Sequence, residues 1–373
     1  MSKRIGYIDA MRGFTMILVV YSHVCNFCLG DRNMAFNDVL FLFRLPCFFF
    51  ISGWLFQGTW GKGTVPCVSS TADYTGTVPH TSGSDLSVWS IIKHKFMVQI
   101  VPSLIFLFLL SPPPAYFHQL GAFKGGYWFT FALFYFFVIY MLMSLPFRHR
   151  QGMRSDIIML LLTLAISMSA YWYDINYHRL QLTFATLHSQ RESCQLSIVN
   201  YQLLTDVLGL LSFVVWRYFL FFFLGTLARK YFPQFLKLTN NGKIMALVVI
   251  CFLAISQIPQ SDIFLREYFK FSIGGILGMT MIFALFRYLS IFNSQFLILN
   301  FIGTRTLDIY LLHYFFLPEF LRPHAAQLLT VIPSPLLPLA ILLGALVVVA
   351  LCLATSSLLR LSPFLGRYLF GAK

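Results

Sequence analysis

Charge is what this sequence has least of. Asp, Glu, Lys and Arg make up 11% of its 373 residues, against about 25% in soluble domains. That scarcity excludes an ordinary soluble globular protein. Cysteine supplies no framework either. The seven thiols are odd in number and most, such as Cys47, Cys251 and Cys352, lie in apolar runs, which excludes a disulfide-stapled scaffold. Cys25-x-x-Cys28 has a redox or metal spacing, but no second pair or histidine cluster completes it, so no metal site is expected. No internal repeat with a period of about 20 to 50 residues is evident. The first apolar stretch lacks a small-residue cleavage site and is expected to be a retained span. No segment reads as a soluble domain, which disfavours a sensor or scaffold, and residues 1–373 are expected to form a single transmembrane domain.

What is present is apolar. Hydrophobic residues make up 58% of the chain, 42 of them Phe, and the mean hydropathy is +0.74. A span needs about 20 mostly apolar residues. Ten segments qualify, at roughly 12–30, 39–57, 96–111, 127–145, 155–172, 206–227, 244–258, 270–288, 304–321 and 335–358. The expected fold is therefore all-α, a polytopic membrane protein of about ten transmembrane helices with the lipid bilayer as its solvent. The net charge of +14 sits in short loops between the apolar runs, where it orients the chain; no nucleic-acid partner is expected. With the N-terminus inside, seventeen Lys and Arg fall on the inner side and seven on the outer. Arg44, Arg217 and Arg305 lie at or inside spans. The bias predicts both termini in the cytoplasm and a multi-pass protein of the cell (inner, cytoplasmic) membrane. Residues 58–88, rich in Gly, Ser and Thr, read as a cytoplasmic loop. Residues 173–203, with His178, His188, Arg191 and Glu192, read as a polar outer segment, either a solvated connector or a substrate contact.

The first helix carries the chemistry. Its stretch IDAMRGFTMILVVYSHV keeps a histidine, His23, inside an apolar run. Eleven helical steps separate Arg12 from His23, about 20° from three full turns. Asp9 precedes Arg12 by three positions and can pair with it. The three residues form one stripe, but Arg12 and His23 are about 16 Å apart along the axis, about half the hydrocarbon thickness. Asp9 therefore cannot complete a compact triad with His23. An ionisable residue at membrane depth is a functional candidate, and histidine is the usual general base near neutral pH. An interhelical hydrogen bond is its structural alternative.

The spacing Arg12-x10-His23, preceded by Asp9, resembles the N-terminal signature of the acyltransferase-3 family of integral membrane acyltransferases. Four further motifs follow in family order: FFFISGWLF (Phe48–Phe56), YWFTFALF (Tyr127–Phe134), FFFLGTLARKY (Phe221–Tyr231) and IYLLHYFF (Ile309–Phe316). A separate stretch before the third helix departs from the family pattern. KHKFMVQIVP carries Lys93 and Lys95 where many members have paired arginines, and Lys holds phosphate only as a point charge.

The resemblance implies acyl transfer from cytoplasmic acyl-CoA, acetyl-CoA above all, to a hydroxyl of a glycan or glycolipid at the outer side. Acyl-CoA is then a co-substrate, and no bound cofactor is expected. His23 is the catalytic candidate as general base, with a covalent acyl-His step as the rival mechanism. Asp9, Arg12, Lys93 and Lys95 are the candidates for donor binding at the cytoplasmic mouth. Trp128, Tyr310, His313 and Ser52 are the candidates for lining the active site or the acceptor. Tyr310 and His313 share a helical side; they either bind the acceptor or a developing oxyanion, or pack helices. Ser52, beside Gly53, has no base near it in sequence and reads first as a small packing residue. Gly274-x-x-x-Gly278 reads as a helix contact, and Arg305 with Asp308 as an ion pair. A transporter or flippase of a polar lipid or glycan precursor is the alternative. It fits ten spans and buried charge, but the matching halves that many transporters show are absent.

Overall fold

The computed structural model describes residues 5–30, 35–60, 88–110, 126–147, 152–190, 207–259, 261, 263–291 and 296–371. Among them there is no β-strand. The helices are α1 (Gly6–Leu29), α2 (Ala35–Trp60), α3 (Val88–Leu110), α4 (Trp128–Ser144), α5 (Met153–Gln190), α6 (Phe219–Lys230), α7 (Phe232–Asn240) and α8 (Gly242–Ser256), then α9 (Phe264–Ile291), α10 (Leu297–Thr304), α11 (Thr306–Phe316), α12 (Ala325–Val331), α13 (Leu337–Leu359) and α14 (Pro363–Phe370). Helices dominate because in a bilayer a helix satisfies its own backbone.

Among the described residues, seven helices are long and apolar enough to cross a membrane, and the pair α7–α8, bent by 79°, makes up to eight. Where described, the ten apolar segments are mostly helical, but not every one is a continuous crossing helix. The segment at 206–227 is broken where Ser212 takes φ 51°, followed by a 3-10 turn over Phe213–Tyr218 before α6 begins. The segment at 304–321 is broken between α10 and α11 at Arg305 (φ −112°, ψ 19°). The polar stretch from 173 begins as helix rather than loop, because α5 runs on as one helix of 38 residues to Gln190. Helix geometry does not require an apolar surface, so the helix outlasts the apolar run. Residues 61–87 of the expected cytoplasmic loop, and Arg191 and Glu192, lie outside the described residues.

α1 sits at the centre: most of its residues from Ala10 to Leu29 are buried. Two backbone contacts lock the core. A Cβ on Gly13 would lie 2.1 Å from the Leu299 carbonyl oxygen, and one on Gly303 1.8 Å from that of Asp9, so α1 and α10 touch main chain to main chain. Gly53 and Gly225 do the same for α2 and α6, with Phe222 and Phe50 as the backbones met. Only residues without a Cβ permit that approach. Gly278 meets Phe43 of α2, while Gly274 has ordinary contacts with Leu42 and Ile255.

Asp308 is buried, and its strongest partner is not Arg305. Arg305 lies 3.4 Å away, but Arg360 makes a two-pronged contact at 2.8 Å through Nε and Nη2, and Ser356 donates as well. The planar fork of Arg matches a carboxylate, which joins α11 to the residue that ends α13.

Candidate active site

A cavity of about 90 Å³ opens between α1, α2, α11 and the entry to α4. From α1 it is lined by Met16, Val19, Ser22, His23 and Asn26. With Arg12, the positions 12, 16, 19, 23 and 26 step by four and three, the repeat of one helical face. Arg44, Leu45 and Phe48 of α2, Gly126, Trp128, Phe129 and Tyr310 complete the wall.

His23 keeps its Nδ1 sealed from solvent and without a hydrogen-bond partner among the described residues. Its ring centroid lies 4.9 Å from that of His313 and 5.3 Å from Tyr314. His313 is completely buried. Its Nδ1 lies 2.7 Å from the Tyr310 carbonyl oxygen and 3.2 Å from that of Ile309. Carbonyls only accept, so Nδ1 carries the ring proton of the neutral imidazole, and Nε2 is left as a lone pair. That Nε2 is also sealed and without a partner among the described residues. Two neighbouring imidazoles thus each hold a sealed nitrogen without a partner among the described residues.

Tyr310 lines the cavity, but its hydroxyl is spoken for. It donates to the Gly126 carbonyl and accepts from Phe129 N–H, both at 3.0 Å. The second of these satisfies one of the N–H groups that a helix leaves open at its first turn. Tyr127 donates to the Leu311 carbonyl at 2.9 Å, and Tyr314 to Gly126 at 3.2 Å. Gly126 has φ 97°, and a Cβ there would strike the Tyr314 ring at 2.5 Å. The entry to α4 is therefore tied to α11. Trp128 stacks on Tyr218, with centroids 6.3 Å apart.

The other candidates separate into groups. Arg12 lies 3.9 Å from Asp9 and donates to Thr306 Oγ1 at 2.8 Å. Lys95 stands within the electrostatic reach of Arg12, its ammonium 4.2 Å from the centre of the Phe137 ring. Lys93 is exposed. Ser52 is outside the cavity wall, and its hydroxyl donates to the Phe48 carbonyl one turn back at 2.9 Å. Cys25 and Cys28 are buried thiols. Arg44 and Asn26 were not among the site candidates read from the sequence. The repeat through Arg12 and His23 points to Asn26, whereas Arg44 meets that face only through the packing of α2.

No curated protein and no solved structure matches the chain. A family comparison does: the acyltransferase-domain profile of the acyltransferase-3 family matches residues 5–357. That match takes in the helices that build the cavity, from Met16 on α1 to Tyr310 on α11, and the chain belongs to the acyltransferase-3 family of membrane acyltransferases.

Proposed function

We propose that the protein is a membrane O-acyltransferase that moves an acyl group, most simply acetyl, from cytoplasmic acyl-CoA to a hydroxyl of a glycan or glycolipid at the outer face of the cell membrane. The observation that carries this reading is His23, an ionisable ring set in a cavity wall within an apolar interior. In this reading its second nitrogen serves the cavity. That nitrogen takes the proton of the acceptor hydroxyl as the oxygen attacks the thioester carbon. The C–S bond then breaks, and the CoA thiolate recovers the proton from His23. The positive charge that His23 holds in between is shared if its Nδ1–H turns to the lone pair of His313, whose ring lies 4.9 Å away between centroids. His313 in this reading is a positioning residue that selects the tautomer of His23. Asp9, Arg12 and Lys95 gather at the other end of α1, where they would hold the donor's phosphates, with Lys93 at the surface beyond. Trp128 and Tyr310 shape the acceptor chamber, and Ser52 keeps a packing role.

The test is thiol release from acetyl-CoA by the purified protein with a glycan acceptor present. His23→Ala should lower the rate by about 10² to 10⁴. Equal rates from both proteins would remove the assigned base. The interrupted helices α7–α8 and α10–α11 also suit a transporter; such a protein releases no thiol in the same assay.

A further inference from the structure

Arg44 is a charge that acyl transfer through His23 leaves unused. It is 8% exposed and shares the cavity wall with His23, Asn26 and Trp128. Among the described residues its one side-chain hydrogen bond runs from Nη1 to Asn37 Oδ1, at 2.9 Å. Asn37 in turn lies 3.5 Å from Asn26, and the guanidinium stands 5.6 Å from the centre of the Phe41 ring. Its hydrogen-bonding neighbour is neutral, as is the next residue in the chain of bonds. The carboxylate in its field, Asp38, is exposed and forms no ion pair with it.

Two other arginines behave differently: Arg217 pairs with Asp174, and Arg360 with Asp308. A buried cation without an anion is costly, and low-polarity surroundings make an incoming anion correspondingly attractive. The guanidinium has five donors in a planar fork, and one is committed to Asn37. The remainder suit the two oxygens of a carboxylate or a phosphate.

We propose that Arg44 is the docking point for an oxyanionic group, carboxylate or phosphate, carried by the acceptor close to the hydroxyl that is acylated. This rests on the acyl-transfer reading for the identity of that hydroxyl. It also couples binding to chemistry. As His23 takes the hydroxyl proton, an imidazolium forms beside a guanidinium, a like-charge pair in a poorly screened site. An acceptor anion on Arg44 offsets that repulsion. A charged acceptor is therefore both held and activated, whereas a neutral one of the same shape receives neither benefit.

The experiment is calorimetric binding to the purified full chain in a non-ionic detergent. Three probes differ at one carbon: methyl glucoside, methyl glucuronide and methyl glucoside 6-phosphate. At least one charged probe should bind about tenfold or more tighter than the neutral one, as charged hydrogen bonds of this kind contribute. Arg44→Gln should bring all three within about twofold. Should that variant fail to elute as a single species, Asn37→Asp decides, because it sets a carboxylate of the same size against Arg44 and should abolish the preference. Equal or absent binding of all three probes to the wild type overturns the proposal, as does a preference that survives in Asn37→Asp. Binding is read without turnover. A failure here leaves thiol release by His23 standing, and a failure of thiol release leaves the binding result standing.

Discussion

His313 and Tyr310 stand one turn apart on α11, yet their polar atoms have opposite fates. The hydroxyl of Tyr310 is saturated by Gly126 and Phe129; Nε2 of His313 has nothing to bond among the described residues. The pair should respond differently to mutation. His313→Ala should cut kcat for thiol release by about 10-fold to 100-fold with the acetyl-CoA KM unchanged, as expected for a group acting through the base. His313→Gln, which restores an acceptor atom, should recover part of that loss. Tyr310→Phe should instead lower stability by about 1 to 2 kcal/mol, since it leaves Phe129 N–H without its acceptor, with a smaller change in kcat. A common effect of both substitutions on kcat would assign them one role and discard the distinction. At the opposite end of α1, Arg12→Ala should raise the acetyl-CoA KM; ordinary donor saturation would take Arg12 out of the donor site. His23 and Arg12 are legible in the sequence because ionisable residues are costly within an apolar run. The commitment of the Tyr310 hydroxyl is not, since its partners lie 181 and 184 positions away.

Among the helices, the contact of α1 with α10 matters most, because α1 carries the cavity's histidine. Gly303→Ala places a methyl 1.8 Å from the Asp9 carbonyl and should destabilise the protein by about 1 to 3 kcal/mol, seen as a lower thermal midpoint. Ala at Gly152, where an added Cβ meets nothing within 4 Å, is the control that should leave the midpoint nearly unchanged. Apolar run length located the helices of the first three motifs and of α13, whose apolar runs are uninterrupted. It could not locate the breaks at Ser212 and Arg305, which are set by backbone angles rather than by any loss of hydropathy. It misjudged the segment from 173 because polarity was taken as the end of a helix. Arg305 and Asp308 were matched on spacing alone. Arg360, 52 positions from Asp308, has the better geometry and becomes visible only when α13 returns to α11.

For the molecule as a whole, hydropathy and the family match agree on a multi-pass membrane protein. Sidedness rests on the distribution of Lys and Arg, and labelling tests it. Met153, 71% exposed at the start of α5, and Phe320, 75% exposed beyond α11, belong to opposite faces on the charge count. An impermeant maleimide applied to intact cells should modify Phe320→Cys at once and Met153→Cys only after permeabilisation; the reverse order would invert the protein and move the donor site outside. The main-chain contact at Gly13 and Gly303 bears on the same question of passage. Where two backbones touch, no side chain remains to swing aside, so α1 is a fixed rail through the molecule. In the proposed reading, the rise of α1 between Arg12 and His23 sets the length that a carrier's arm must match. In that reading, any change in access belongs to the walls that α2 and the entry to α4 supply, not to the rail.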